Sequence, residues 1–569
     1  MKRLFKWHHL ILFAILILAA GLRFYKLDAL PPPLYNDEAY NGLDAFALLE
    51  GRTFPIFHEG WEAHGDTVFE DRPITPRRFP IFFEGNYGRE PVHIYLMALS
   101  GWLFGQTPFA VRAVPAFAGV LSVLTVYWGA QAFSPSSWSR RSRNHENSNH
   151  PLRLNVAIPL VAAFVMAVLF PAVHFSRFGL RLMVFVPVEV LCITCFWHGI
   201  SHWGNQNKRS MLFFALSGFL LGLGLYIYLV GRLLPFLFVL FVPIWFLIDS
   251  TAFKKFWKPL AVMVAAAVLT VTPLLIYFWR YPFFLFFRTG YVADTGADVT
   301  DAGAVANVWR VIWGLFVSGD QNIRQNLPGR PFMNPIFSLF FGVGLFAKVK
   351  TSLSIGSNPS AKGQEQTDQL KSIFLFLWFL LMLLPSILSS EAPHFSRLSS
   401  VTPVVAIMIA LGVGYVWDWL AQQQFQFTSP NYLMQTGLFL ILGISGFIPI
   451  WAYFVTYASD PRLNQAFHQD FWETAQAIDT YSDDYLFYLT PPQQKLATFY
   501  LSLGENQHKL TNYDGAQSLV PMSIPGEGAV FIVQKDDQAS LQNLSAFYLG
   551  AHLDDSLQSY TLLIVDEPT

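Results

Sequence analysis

Long apolar runs broken by short polar stretches dominate the first 457 residues. Eleven runs lie near 9–27, 109–132, 154–174, 179–200, 211–229, 232–249, 258–279, 332–349, 371–389, 400–421 and 433–456. Each is about 18–24 residues long, enough for a helix to cross a ~30 Å hydrocarbon core. A twelfth run, 91–105, is too short for a comfortable crossing and predicts a re-entrant or interfacial helix. From about residue 458 the pattern shifts to alternation: "YLFYL", "AVFIV" and "YTLLIV" predict strands. "QKLATFYLSLG" and "DQASLQNLSAFYLG" predict helices, each closed by a glycine. The expected fold class is a polytopic α-helical membrane protein (1–457) with a small α/β domain at 458–569.

Composition agrees. The 569 residues are 53% hydrophobic and only 13% charged, about half the usual share. Mean hydropathy is +0.38. A net charge of −1 gives no basic field for nucleic acid, so no such partner is expected. Two cysteines cannot build a disulfide framework, and Cys192 and Cys195 read as small packing residues on one helix face. The N-terminal "MKRLFKWHH" followed by an apolar run reads as a signal anchor.

Basic residues favour the cytoplasmic side. Lys2, Arg3, Lys6, then Arg140, Arg141, Arg143, Arg153, Lys208, Arg209, Lys254, Lys255, Lys350 and Lys362 fall on that side if 91–105 does not cross. The N-terminus is then cytoplasmic and the α/β domain extracytoplasmic. The loops left outside carry a different set of residues. "YNDEAYNGLDA" holds the acidic pair Asp37–Glu38, which could also simply start a helix capped by Asn36 or Asp37. "EGNYGREP" holds Arg89 and Glu90, an ion pair in its plainest reading. "HFSRFGLRLM" holds His174, Arg177 and Arg181; the two arginines are four residues apart, a spacing that shares a helix face. Arg181 and Glu189 could form an internal salt bridge at membrane depth. "LYIYLVGRLLP" adds Tyr228 and Arg232, "GDQNIRQNLPGRP" adds Arg324, Asn326 and Arg330, and "EAPHFSRL" adds His394 and Arg397. None of these is specific alone, and no P-loop, HExxH or zinc spacing competes.

Taken together in this order and on this side, the motifs carry a resemblance. "LPPPLYNDEAYNGLDA", "NYGREPVHIYLMALSGWLFG", "HFSRFGLRLMVFVPVEVL" and "YIYLVGRLLPFL" resemble the GT-C membrane glycosyltransferases. The nearest group is the dolichyl-phosphate-mannose–protein mannosyltransferase-like one (glycosyltransferase family 39), in its bacterial branch. Where eukaryotic members have Pro-Pro, this chain has Glu90–Pro91. The resemblance implies a polyprenyl-phosphate-linked sugar donor, mannose in the family's own case. It implies a protein, lipid or glycan acceptor and transfer on the non-cytoplasmic face. It assigns Asp37 as base with Glu38 beside it; the outer-loop residues Arg89, Glu90, His174, Arg177, Arg181, Tyr228, Arg232, Arg324, Asn326, Arg330, His394 and Arg397 are then the candidates for binding the donor phosphate and substrate.

That assignment is chemically coherent. Inversion needs one carboxylate to take the acceptor proton. A departing phosphate needs cations in a low-dielectric cleft rather than an acid. No cofactor is expected, with a divalent metal left open. Alternatives are an oligosaccharyl or polymer ligase using a pyrophosphate-linked donor, a lipid-linked sugar transporter, and a non-catalytic scaffold. The clustering of polar residues at one face favours the enzyme over the transporter.

Overall fold

The computed structural model describes residues 2–56, 74–135, 138, 154–204, 206–286, 301–353, 362–422, 430–481, 484–493, 496–519 and 527–566. Arg140, Arg141, Arg143 and Arg153 of the expected cytoplasmic loop lie outside them. All eleven predicted runs are helical. Among the described residues, nine helices are long and apolar enough to cross a membrane. A tenth span is formed if Val156–Val168 and Phe170–Ser176, which meet at a 57° bend, count as one. The bend falls where Leu169 is extended and Pro171 opens a new first turn without an N–H to donate. The remaining run is the helix Asn207–Gly224, which begins on Lys208 and Arg209. Among the described residues Asn207–Gly224 falls short of that apolar length because its first turn holds the polar and charged Asn207, Lys208 and Arg209. The run at 91–105 is the 14-residue helix Pro91–Phe104, short as expected. A second short apolar helix, within Asp301–Phe316, lies where the sequence predicts only loop. The chain is an integral, multi-pass membrane protein.

The chain divides into two compact units. The first comprises Met1–Leu27, Tyr87–His93 and Arg112–Ser459; the second comprises Asp28–Asn86, Ile94–Val111 and Asp460–Thr569. In the first, the helix Thr402–Gln422 is buried at every position from Thr402 to Gly414. It packs on Pro335–Leu353 almost backbone to backbone. A side-chain carbon on Gly412 would run into the Phe340 carbonyl, and one on Gly344 into the Met408 carbonyl. Small residues at such crossings let apolar helices gain dispersion contact where lipid offers no hydrophobic drive.

The second unit holds a five-stranded sheet. Its strands are β1 (Tyr485–Thr490), β2 (Leu510–Asn512), β3 (Gly528–Gln534), β4 (His552–Asp554) and β5 (Tyr560–Val565), in the order β2-β1-β3-β5-β4. β2, β1 and β3 run parallel; β5 is antiparallel to β3 and β4 to β5. Tyr488 stands opposite Phe531, and Phe531 opposite Leu563. These side chains share one sheet face with Val533, and Leu544 of the helix Gln538–Phe547 covers them. The three strands read from alternation are found; β2 and β4, three residues each, are too short to show a period.

The backbone contact at Gly412 yields a prediction. Gly412→Leu should destabilise the purified protein by about 1–3 kcal/mol or more through overpacking, lowering the midpoint of thermal unfolding in detergent. An unchanged midpoint would contradict the close crossing.

Candidate active site

In the first unit the chain following the turn at Asn86–Gly88 delivers Arg89 and Glu90, both buried, to the start of the helix Pro91–Phe104. Glu90 meets two cations: Arg181 Nη1 lies 3.3 Å from Oε2 and Arg232 Nη2 lies 3.9 Å from Oε1. Arg232 also donates to the Leu285 carbonyl and lies over the Phe278 ring at 5.5 Å. The Arg181 guanidinium lies 5.9 Å from the centre of the Tyr228 ring. Tyr228 in turn is within electrostatic range of Arg397. Arg397 and Arg324 both act on His394, whose imidazole is held down to about 3 by burial first and by these two cations second. His394 is therefore neutral above that pH and shares a hydrogen bond with Ser396 Oγ at 3.0 Å.

The 319–335 loop is tied from several sides. Asp320 accepts from the backbone N–H of Asn322 at 2.8 Å and of Phe395 at 2.9 Å. Asn326 donates to the carbonyls of Asp320 and Arg330. His174 Nε2 donates to the Arg324 carbonyl at 2.8 Å, and Tyr457 Oη to Ile323 at 3.0 Å. Arg330 stacks over Phe170 at 4.4 Å, and burial lowers its guanidinium to about 10. Its Nη1, like that of Arg397, is buried with no hydrogen-bond partner among the described residues. Such donors are costly to leave unmet.

The predicted residues thus fall into groups. Glu90, Arg181, Arg232 and Tyr228 are joined by ion pairs and a ring contact, with Arg89 next to Glu90 in the chain, and Arg397 and Arg324 act electrostatically on His394. His174, Asn326 and Arg330 shape the loop beside Arg324. Arg177 goes elsewhere. Its guanidinium donates to the carbonyls of Leu22, Arg23, Tyr25 and Lys26 at 2.7–3.1 Å, closing the end of the first helix. The shared helix face expected for Arg177 and Arg181 is overturned. Arg177 ends Phe170–Ser176 and Arg181 precedes Leu182–His202, with a non-helical turn between them. The Arg181–Glu189 salt bridge is overturned too. Arg181 turns to Glu90, and Glu189 accepts from Trp378 Nε1 at 2.6 Å.

In the second unit the helix Asn36–Leu49 carries the acidic pair. Neither Asn36 nor Asp37 is its cap, contrary to expectation. Tyr35 is the cap residue, and Glu38, fully buried, folds back to accept the Tyr35 N–H at 3.1 Å. Asp37 is half-buried, and Asn86 Nδ2 donates to its Oδ1 at 3.5 Å. Glu38 is thus engaged in helix geometry while the Asp37 carboxylate points to a side-chain amide.

No family model matches the chain, and no curated protein matches its sequence. Solved structures do. ArnT from Cupriavidus metallidurans in the apo state matches with a TM-score of 0.54 at 12% identity, over 98% of this chain and 98% of that one. The same protein bound to undecaprenyl phosphate matches with a TM-score of 0.51 at 13% identity, again over 98% of both. The Archaeoglobus fulgidus oligosaccharyltransferase in the apo form matches with a TM-score of 0.50 at 13% identity, over 97% of this chain and 74% of that one. This chain has the GT-C fold. That fold accounts for the end-to-end likeness at an identity where sequence comparison finds nothing.

Within this GT-C frame, sequence reasoning misses three residues. His93 is buried one turn after Glu90, donates to the Gly179 carbonyl at 3.3 Å, and is held to about 3 by burial, with Arg181 and Arg89 adding to the effect. An ionisable group inside a short apolar helix was the available signal. Asn86 sits in the left-handed turn of "NYG", a visible turn motif. Tyr457 belongs to a π-helical turn, Ala452–Tyr457, that no local pattern announces. Among the described residues, no three His, Cys, Asp or Glu side chains gather as a metal set.

Two predictions follow from these pairings. Arg181→Met should destabilise the protein by about 3–5 kcal/mol by leaving Glu90 buried with one distant cation. Adding Glu90→Leu should recover about 1–3 kcal/mol of that loss; strictly additive losses in denaturant unfolding would contradict the pair. Burial raises Asp320 to about 6, so the folded chain holds its proton more tightly than the unfolded chain does. Its contribution should be most favourable below about pH 4 and decline as pH rises through about 6. Hydrogen exchange at 319–334, corrected for intrinsic rate, should be slower at pH 5 than at pH 7, and Asp320→Asn should flatten that difference.

Proposed function

We propose that the chain is a glycosyltransferase. It moves a sugar from a polyprenyl-phosphate donor to an acceptor hydroxyl on the non-cytoplasmic face, with inversion at the anomeric carbon. The observation that carries this reading is the pair of buried guanidinium edges, Arg330 Nη1 and Arg397 Nη1, that lack an acceptor among the described residues. A phosphate ester offers the acceptor oxygens they lack, and arginine–phosphate hydrogen bonds are strong because both partners are charged. The full-length likeness to a protein solved with undecaprenyl phosphate supports a polyprenyl phosphate as that ester. The prenyl tail stays in lipid while the sugar faces water.

In the proposed reaction the acceptor oxygen attacks the anomeric carbon as Asp37 takes its proton. The bond from that carbon to the phosphate oxygen breaks, and polyprenyl phosphate leaves with the bonding electrons. Arg181, Arg232, Arg324, Arg330 and Arg397 stabilise the leaving phosphate, with Tyr228 and the neutral His394 between them. Glu90 holds Arg181 and Arg232 in place. Glu38 fixes the helix start that presents Asp37. We assign charge neutralisation to the arginines, with no divalent ion required, and place the enzyme in a bacterial plasma membrane with its N-terminus cytoplasmic.

The likeness to the archaeal oligosaccharyltransferase favours a second reading, a ligase acting on a pyrophosphate-linked donor. The two readings separate in one assay. Protein in lipid nanodiscs is given labelled undecaprenyl-phosphate hexoses or pentoses with a membrane extract as acceptor source. Release of label should occur and persist in a chelator. Asp37→Asn should lower turnover by about 10²–10⁴-fold while the protein stays folded. Equal turnover by Asp37→Asn would remove it as base. Chelator-sensitive transfer from pyrophosphate-linked donors alone would establish the ligase.

A further inference from the structure

The second unit contains both the acidic pair and the C-terminal α/β region, and the two are tied together at the start of the helix that bears Asp37. Three contacts converge there. Thr498 Oγ1 donates to the Leu34 carbonyl at 3.0 Å. The Ala497 N–H donates to Asn36 Oδ1 at 3.3 Å. The Tyr35 ring stacks on His468 with centroids 5.6 Å apart and planes 13° from parallel. Leu34, Asn36, Ala497 and Thr498 are all buried, so water does not compete for these bonds. Further along, Leu501 closes on Gly42, where a side-chain carbon would come within about 3.3 Å of it. The helices Asn36–Leu49 and Ala497–Leu503 therefore pack over a full turn.

The three anchored positions are Leu34, Tyr35 and Asn36, and on the other side Glu38 is locked to the Tyr35 N–H. Asp37 is the residue between two fixed neighbours. Among the described residues its own side chain is met by Asn86, and no hydrogen bond ties it to the helix cap or to the C-terminal region. His468 reaches Tyr35 from a left-handed backbone conformation, φ 55°, which a non-glycine residue adopts at some cost. Phe471 also stacks with His468, ring centroids 5.2 Å apart.

We infer that the C-terminal region is the device that positions the base. Thr498 and His468 are positioning residues for Asp37, acting through Leu34 and Tyr35, and the region is an integral part of the catalytic apparatus rather than a module attached to it. This rests on the reading of Asp37 as base. A carboxylate must be held within a fraction of an ångström of its productive place, and a displacement of about 1 Å can cost about 10²-fold in rate.

The test uses full-length protein in nanodiscs and has two readouts. In hydrogen exchange, Thr498→Val should raise exchange at 35–40 while leaving the membrane helices unchanged. In turnover, with the donor that the wild type uses, Thr498→Val should lower kcat about 10–100-fold with donor KM within about twofold, and Thr498→Ser should restore most of it. His468→Ala should act in the same direction, and His468→Phe, which keeps a flat ring for Tyr35, should rescue it. This pair carries the test if Thr498→Val does not fold. Unchanged exchange at 35–40, or wild-type kcat in Thr498→Val and His468→Ala while Asp37→Asn is inactive, would overturn the positioning role and leave the base assignment standing. Full activity of Asp37→Asn would instead overturn the base assignment on which the inference rests.

Discussion

A charge taken out of water must be answered by another charge or by hydrogen bonds, and Glu90 is answered by Arg181 and Arg232. That one carboxylate ties three separated stretches of the first unit: the segment Tyr87–His93, the turn before Leu182–His202, and the short helix Leu229–Leu233. Around it the balance of charge is positive. Burial holds His93 neutral, with Arg181 and Arg89 adding to it; burial, then Arg397 and Arg324, does the same to His394. Glu90 offsets part of this field, and buried Nη1 donors on Arg330 and Arg397 remain without an acceptor among the described residues. A region built this way is expensive as a resting state and well suited to an anion.

The acidic pair shows how two adjacent carboxylates take different work. A helix start leaves N–H groups unsatisfied, and Glu38 at the third helical position is the one that can reach back to the cap residue. Asp37, one residue earlier, points away from that N–H and meets Asn86. The geometry of a first helical turn separates the two roles before any chemistry is considered. The helix-start reading and the catalytic reading are therefore not rivals. Glu38 serves the first, which leaves Asp37 available for the second.

The C-terminal region looks from its sequence like an appended domain, because its strand alternation begins where the apolar runs stop. In the structure it shares a compact unit with 28–86 and 94–111. The reason is packing: Leu501 fits against Gly42, and Thr498 meets a carbonyl that an extended approach to the helix leaves open. Contacts between residues some 460 positions apart leave no mark in either local pattern.

Much of the fold was legible. Apolar runs of span length became helices, and strands with a clear period of two became β1, β3 and β5. Hydropathy and period are sums over neighbours in the chain, so the sequence by itself determined the membrane class, the order of elements and the list of ionisable side chains at their ends. Their pairing was not legible. Arg177 and Arg181 sit four apart, yet one closes the first helix and the other meets Glu90. Glu189, with a suitable arginine eight residues before it, takes Trp378 from another helix instead. Only the tertiary structure decided which charges are answered, because Coulomb and hydrogen-bond energies depend on distance in space and on the loss of water, and the turns and helix crossings that set both are made by residues far apart in sequence.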